Sequence, residues 1–119
     1  MPAVPMTVVE TEEFLRKAKP PMSDDERAFL VAYLGANPEA GAIIRETGGV
    51  RKIRWALKGR GKSGGARVIY YIHNQQMPLF LLTAYSKNEK ANLNKAERNA
   101  MKRMVSMLVE GYPAKREAQ

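Results

Sequence analysis

The chain contains no cysteine, which excludes disulfides, thiolate metal sites and a cysteine nucleophile. Its single histidine, His73, leaves no imidazole cluster for a metal and no mechanism that needs two imidazoles. No apolar run approaches the roughly 18 residues of a membrane helix; the longest, Met77 to Tyr85, is interrupted by Pro78 and Thr83. The opening Met1-Pro2-Ala3-Val4-Pro5 lacks the basic-then-apolar order of a secretion signal. These absences predict a cytoplasmic protein that works without metal or cofactor and away from membranes.

Acidic residues are scarce after residue 46. Residues 1–46 carry five basic and eight acidic side chains, a net of −3, whereas residues 47–119 carry fifteen basic and four acidic ones, a net of +11. Arg51, Lys52, Arg54, Lys58, Arg60, Lys62 and Arg67 follow one another with no carboxylate between them. A block of this kind attracts polyanions, and nucleic acid is the commonest polyanion in a cytosol. With 119 residues, 45% of them hydrophobic, the chain is expected to form one domain over 1–119, with an ordered core at about 7–110 and a polar tail at 113–119.

Hydrophobic spacing predicts an α+β fold. Thr7-Val8-Val9 reads as a first strand, and Thr11 followed by Glu12 and Glu13 as the start of a short helix ending near Pro20-Pro21. Ser23 and Glu26 have the spacing of a capping box and open a helix with Phe29, Leu30, Tyr33 and Leu34 along one face. Asn37-Pro38 ends it, and a further short turn carries Ile43 and Ile44 before Gly48-Gly49. From Val50 the period becomes two. Ile53, Trp55 and Leu57 point one way, and Lys52, Arg54 and Lys58 the other. Lys58 to Gly65 reads as a loop. Its Gly61-Lys62-Ser63 is no phosphate loop, because the upstream glycine position holds Ala56 and a strand follows. Ala66–Ile72 forms the next strand, with Tyr70 toward the core and Arg67, Ile69 and Tyr71 on the other side. Leu79–Lys87 is apolar on both faces until Thr83, Tyr85 and Lys87 share a side. Asn94 and Glu97 cap a last helix to Glu110, whose buried stripe runs from Ala100 through Met104 to Val109. The expected architecture is a small antiparallel sheet with the N-terminal helices on one face, a C-terminal helix, and a basic opposite face.

Strand parity places Lys52, Arg54, Arg67, Tyr85 and Lys87 on that basic face. Cations beside a phenol suit metal-free cleavage of an RNA phosphodiester by its own 2′-hydroxyl. That reaction needs a base, stabilisation of the phosphorane and a proton for the 5′-oxygen. Crowded cations also depress one another's pKa values, which can make a lysine a usable base. Tyr71 and Tyr85 fall where they could stack on RNA bases. Arg51, Lys58, Arg60, Lys62, Tyr71 and Lys90 are the expected contacts to RNA or ribosome. A charged face that merely keeps the sheet soluble, or a non-catalytic RNA-binding module, would show the same pattern.

At Arg51-Lys52-Ile53-Arg54-Trp55, Ala66-Arg67-Val68-Ile69-Tyr70-Tyr71, Leu81 to Lys90 and Leu93 to Glu97, the chain resembles the RelE superfamily of type II toxins, and most closely its HigB branch. The resemblance covers most of residues 7 to 110 in order. It implies a RelE-like fold and a toxin, an mRNA interferase, that enters the ribosomal A site, cuts mRNA there and stops translation. A cognate antitoxin, in this branch a helix-turn-helix DNA-binding protein, would hold it inactive. By position, Lys52 and Arg54 match the family's cationic pair on its second strand and Arg67 its phosphate-binding arginine. Lys87 falls where an arginine often follows the fourth strand. Leu93 stands where some members have a catalytic tyrosine, which leaves Tyr85 or Lys52 for the base. A related branch shares the fold and inhibits gyrase, so the resemblance also implies the alternative of a non-catalytic toxin.

Overall fold

A computed structural model describes residues 4–19, 22–56, 65–90 and 92–112. Among these, the chain forms β1 (Val8–Glu10), α1 (Glu12–Ala18), α2 (Asp24–Ala36), β2 (Ala42–Ile43), β3 (Arg51–Trp55), β4 (Ala66–Tyr71), β5 (Leu79–Ser86) and α3 (Lys95–Gly111). The helices begin where polar side chains satisfy free amides. Thr11 accepts from the Phe14 amide, and Ser23 with Glu26, then Asn94 with Glu97, form complete capping boxes. Each cap contributes about 1 kcal/mol.

The five strands make one sheet in the order β1-β5-β4-β3-β2. β2–β3, β3–β4 and β4–β5 are antiparallel, whereas β1 joins β5 in parallel, with Val8 opposite Leu79. The α+β expectation holds, but the sheet is mixed. The first strand returns to the sheet edge by way of the chain's last strand, a pairing that local periodicity does not carry.

One face of the sheet is covered by α1 and α2. Phe14, Ala18, Leu30 and Leu34 pack there on Val68, Tyr70, Leu79, Leu81 and Ala84. The buried stripe of α2 is Leu30 and Leu34; Phe29, expected beside them, is 74% exposed and Tyr33 is also exposed, its ring tilted against Trp55 at 5.5 Å. Gly35 fits beneath the Met6 carbonyl, where a Cβ would come within 3.0 Å. This close approach rolls Leu34 inward and Phe29 out.

The opposite face is not open. Val105 of α3, with Met101, Met104, Leu108 and Val109, packs over Val50, Ile69, Tyr71, Phe80, Leu82 and Tyr85. The helix stripe runs much as the spacing predicts, except that Ala100 is exposed. The same helix removes much of the sheet face left to solvent by the sequence reading.

Residues 42–49 are extended and turned, not helical. Ala42 pairs with Lys52 and Ile43 with Arg51. The turn between β2 and β3 is tied by Thr47, fully buried, whose Oγ1 donates to the Ile44 carbonyl at 2.7 Å and accepts from the Val50 amide at 3.0 Å. Gly48 (φ 80) and Gly49 (φ 111) supply the left-handed backbone the turn needs.

A bulge decides what β5 presents. Ile69 of β4 faces Thr83, but Tyr70 faces Leu81, so Leu82 is an extra residue. Before it, Leu79 and Leu81 point toward α1 and α2; after it, Ala84 does. Tyr85 is therefore on the α3 side, with Arg67.

Candidate active site

Three strands contribute one row of side chains. Arg54 of β3 is directly opposite Arg67 of β4, and Arg67 is directly opposite Tyr85 of β5. With strands about 4.8 Å apart, the row spans about 10 Å of backbone. Lys52, two residues before Arg54, is opposite Ile69, which in turn is opposite Thr83, so it shares the face. Four of the five residues expected to form the catalytic group are thus brought together. Lys87, the fifth, is the first residue beyond β5 and is exposed in the following turn.

Lys52 Nζ donates to Asn92 Oδ1 at 3.0 Å, tying β3 to the segment before α3. Lys90 Nζ lies 5.1 Å from the centre of the Tyr85 ring and is ion-paired with Glu97. A cation over an aromatic face is attracted by its quadrupole, so Glu97 holds Lys90 and Lys90 roofs Tyr85. The Lys90–Glu97 hydrogen bond, followed by the Asn94 amide, holds the Glu97 carboxyl below the usual carboxylate range.

Tyr85 is only 6% exposed, and its hydroxyl has no hydrogen-bond partner among the described residues. Burial pushes its pKa up against the opposing pull of Lys90 and Arg67. The phenol therefore keeps its proton at neutral pH. The hydroxyl oxygen is itself buried, so it is a donor left without a partner in the fold, whereas a resting base would need the opposite shift. The groove beside it is lined by Glu13 and Lys17 of α1, by Thr83 and by Glu89; Thr83 Oγ1 donates to Glu13 Oε2 at 3.1 Å.

Two expected RNA contacts are placed elsewhere. Arg51 lies on the other face of β3, where its Nη1 donates to the Gly41 carbonyl at 2.7 Å and the Glu39 carbonyl at 3.3 Å. It holds the approach to β2. Tyr71 is 5% exposed beneath α3, with its hydroxyl 3.0 Å from His73 Nδ1, so its ring offers no open stacking surface. Lys58, Arg60 and Lys62, and the loop that carries them, lie outside the described residues, as does the tail at 113–119.

The residue pattern misses Asn92, Glu97 and Glu13 as members of the site. Glu97 is legible only as a helix cap; its second task, on Lys90, is a contact seven residues apart that no periodicity encodes.

These features define a basic α+β domain of RelE-like fold, with cations and one protonated phenol aligned across three strands. The chain belongs to the RelE toxin family: the family model described as the RelE toxin of the RelE / RelB toxin-antitoxin system matches residues 6–115. It is a toxin of a toxin–antitoxin pair, and an antitoxin is its partner.

Proposed function

We propose that the chain is a HigB-like mRNA interferase, a cytoplasmic endoribonuclease that needs no metal and acts on mRNA in the ribosomal A site to stop translation. The observation that carries the reading is the cross-strand row Arg54–Arg67–Tyr85 with Lys52 at its side. Arg67, in the middle, grips the scissile phosphate. Arg54 stabilises the negative charge that grows on the phosphorane when the 2′-oxygen attacks. Tyr85, which holds its proton, donates to the phosphorane or to the departing 5′-oxygen. Lys52 is left as the amine that accepts the 2′-hydroxyl proton, and Lys87 meets the backbone further along. Bond-making to the 2′-oxygen and bond-breaking to the 5′-oxygen leave a 2′,3′-cyclic phosphate and a 5′-hydroxyl. Lys58, Arg60, Lys62 and Lys90 add contacts to RNA or ribosome, and the antitoxin is a helix-turn-helix DNA-binding protein.

The test is mapping of mRNA 5′ ends after brief induction, with and without a translation inhibitor. New 5′ ends that appear only while translation runs are the expected result. Growth arrest with intact transcripts and DNA-damage signalling would replace this reading with a gyrase inhibitor.

A further inference from the structure

We infer that Glu97 is a positioning residue of the cutting reaction: through Lys90 it keeps the Tyr85 hydroxyl closed to solvent until an RNA phosphate takes Lys90 in its place. The inference rests on the proposed RNA-cutting activity and adds how the phenol of the row is reached. The Tyr85 hydroxyl oxygen is buried and has no partner among the described residues, so no RNA touches it while its cover is in place. A buried donor without a partner is costly to keep, and it becomes useful only when that cover moves.

The cover is Lys90. Its Nζ lies 5.1 Å from the centre of the Tyr85 ring and donates to Glu97 Oε2. The two side chains are 35% and 33% exposed, so an anion arriving from solvent can reach the pair. The groove that they line with Tyr85 has a volume of about 410 Å³. Its charged residues are Glu13, Glu89 and Glu97 against Lys17 and Lys90. Two of these carboxylates are engaged elsewhere: Glu13 pairs with Arg16 and accepts from Thr83, and Glu89 accepts from the Ser86 amide at 3.0 Å. Glu97 is the carboxylate that holds Lys90. Its two oxygens divide the work, since Oε1 accepts from the Asn94 amide at 2.9 Å while Oε2 takes Lys90. The cap fixes Glu97 to the start of α3, so it stays behind when the lysine leaves.

A phosphate on Arg67 lies beside Tyr85, because the two residues are directly opposite on strands about 4.8 Å apart. It offers Lys90 charged oxygens in exchange for the Glu97 carboxylate, so one charge-assisted hydrogen bond replaces another. Without an anion, opening forfeits both the ion pair and the cation–π contact, which leaves the open form on the order of tenfold rarer than the closed one. The phosphate removes that penalty. The phenol meets RNA only after Arg67 has seated a phosphate, and the protein without RNA keeps its proton donor sealed.

The test uses full-length Glu97→Gln. Glutamine keeps the capping box, but its amide sets a donor against the Lys90 ammonium, so the latch opens while α3 stays capped. Two measurements read it: broadening of the Tyr85 ring NMR signals by a neutral nitroxide in solution, and KM and kcat for mRNA cleavage on ribosomes. In the unmodified protein, a 2′-O-methyl tetraribonucleotide, which has no free 2′-hydroxyl to attack, is expected to raise the broadening; Glu97→Gln should show the raised level without RNA. An open form populated about a tenth of the time weakens apparent binding by that fraction. The kinetic change in Glu97→Gln should therefore fall on KM, lowered by up to about tenfold, and not on kcat. Lys90→Ala removes the cover without touching α3 and should expose the ring equally. A ring as shielded in both variants as in the unmodified protein, or a fall in kcat with KM unmoved, would overturn the latch and leave the nuclease reading standing. Ring exposure that responds as expected in a chain that cuts no RNA on ribosomes would keep the latch and overturn the nuclease.

Discussion

Arg54 and Arg67 are directly opposite one another on β3 and β4, and among the described residues neither has a carboxylate in ion-pair reach. Like charges facing across a ladder destabilise it. A fold gains nothing from this pairing, which fits a face shaped by what it binds. Arg54→Thr is expected to raise unfolding stability by about 0.5 kcal/mol at low salt, with the gain shrinking as salt screens the pair. Urea titrations at two ionic strengths measure both effects, while the same variant should weaken growth arrest.

Arg67 stands in the middle of the row, between Arg54 and Tyr85. Loss of one donor to a developing oxyanion costs about 2.7–4 kcal/mol, so Arg67→Ala should reduce RNA cleavage on ribosomes by about 10²–10³-fold. Circular dichroism should show the fold retained. Undiminished arrest by a soluble Arg67→Ala protein would remove Arg67 from the site.

The buried Tyr85 hydroxyl separates stability from activity. Tyr85→Phe removes an unpaired polar group and should leave thermal stability equal or higher, by up to about 1 kcal/mol. Cleavage should fall, because the only phenol in the row is gone. A melting curve and a primer-extension assay on the same preparation read the two effects.

Glu97 gives the acid side of the stability profile. Its folded pKa is held below the ordinary carboxylate value by Lys90 and the Asn94 amide. Its contribution is therefore present above the unfolded pKa and is lost as pH falls through the lower, folded value. Glu97→Gln should be less stable than the unmodified chain at pH 7, with the gap closing toward pH 3. Melting temperatures across that range give the comparison.

Gly41 is set by close approach. A Cβ there would meet the Lys52 carbonyl and the Tyr70 ring at 2.8 Å, and its amide donates to the Tyr70 hydroxyl, which in turn donates to the Pro38 carbonyl. Gly41→Ala should cost about 1–3 kcal/mol and displace Lys52. A urea midpoint and the Lys52 amide shift would register it.

Much of the fold was legible because it is local. The caps at Ser23 and Asn94 and the period-two stretch at 52–55 depend on neighbours a few residues apart, and each is as the spacing predicts. Parity within β3 and β4 also brings Lys52, Arg54 and Arg67 to one face, and Tyr85 joins them through the bulge at Leu82. What failed was non-local. Leu30 and Phe29 are adjacent and both apolar, yet only Leu30 is buried, because Gly35 and the Met6 carbonyl set the roll of α2. Tyr71 was placed on an open face because no sequence rule says that α3 returns over β4. Arg51 belongs to the same basic run as Lys52, but its guanidinium serves the carbonyls of residues 39 and 41.

The extra residue at Leu82 has an evolutionary consequence. Loss of that single codon would restore even alternation along β5 and leave Tyr85 on the α3 side, opposite Arg67. Every helix would still begin on its own cap, and the row of Arg54, Arg67 and Tyr85 would keep its register. A toxin gene can thus shed a codon within β5 without losing the row, whereas loss of a codon between Thr83 and Tyr85 would turn the phenol to the other face.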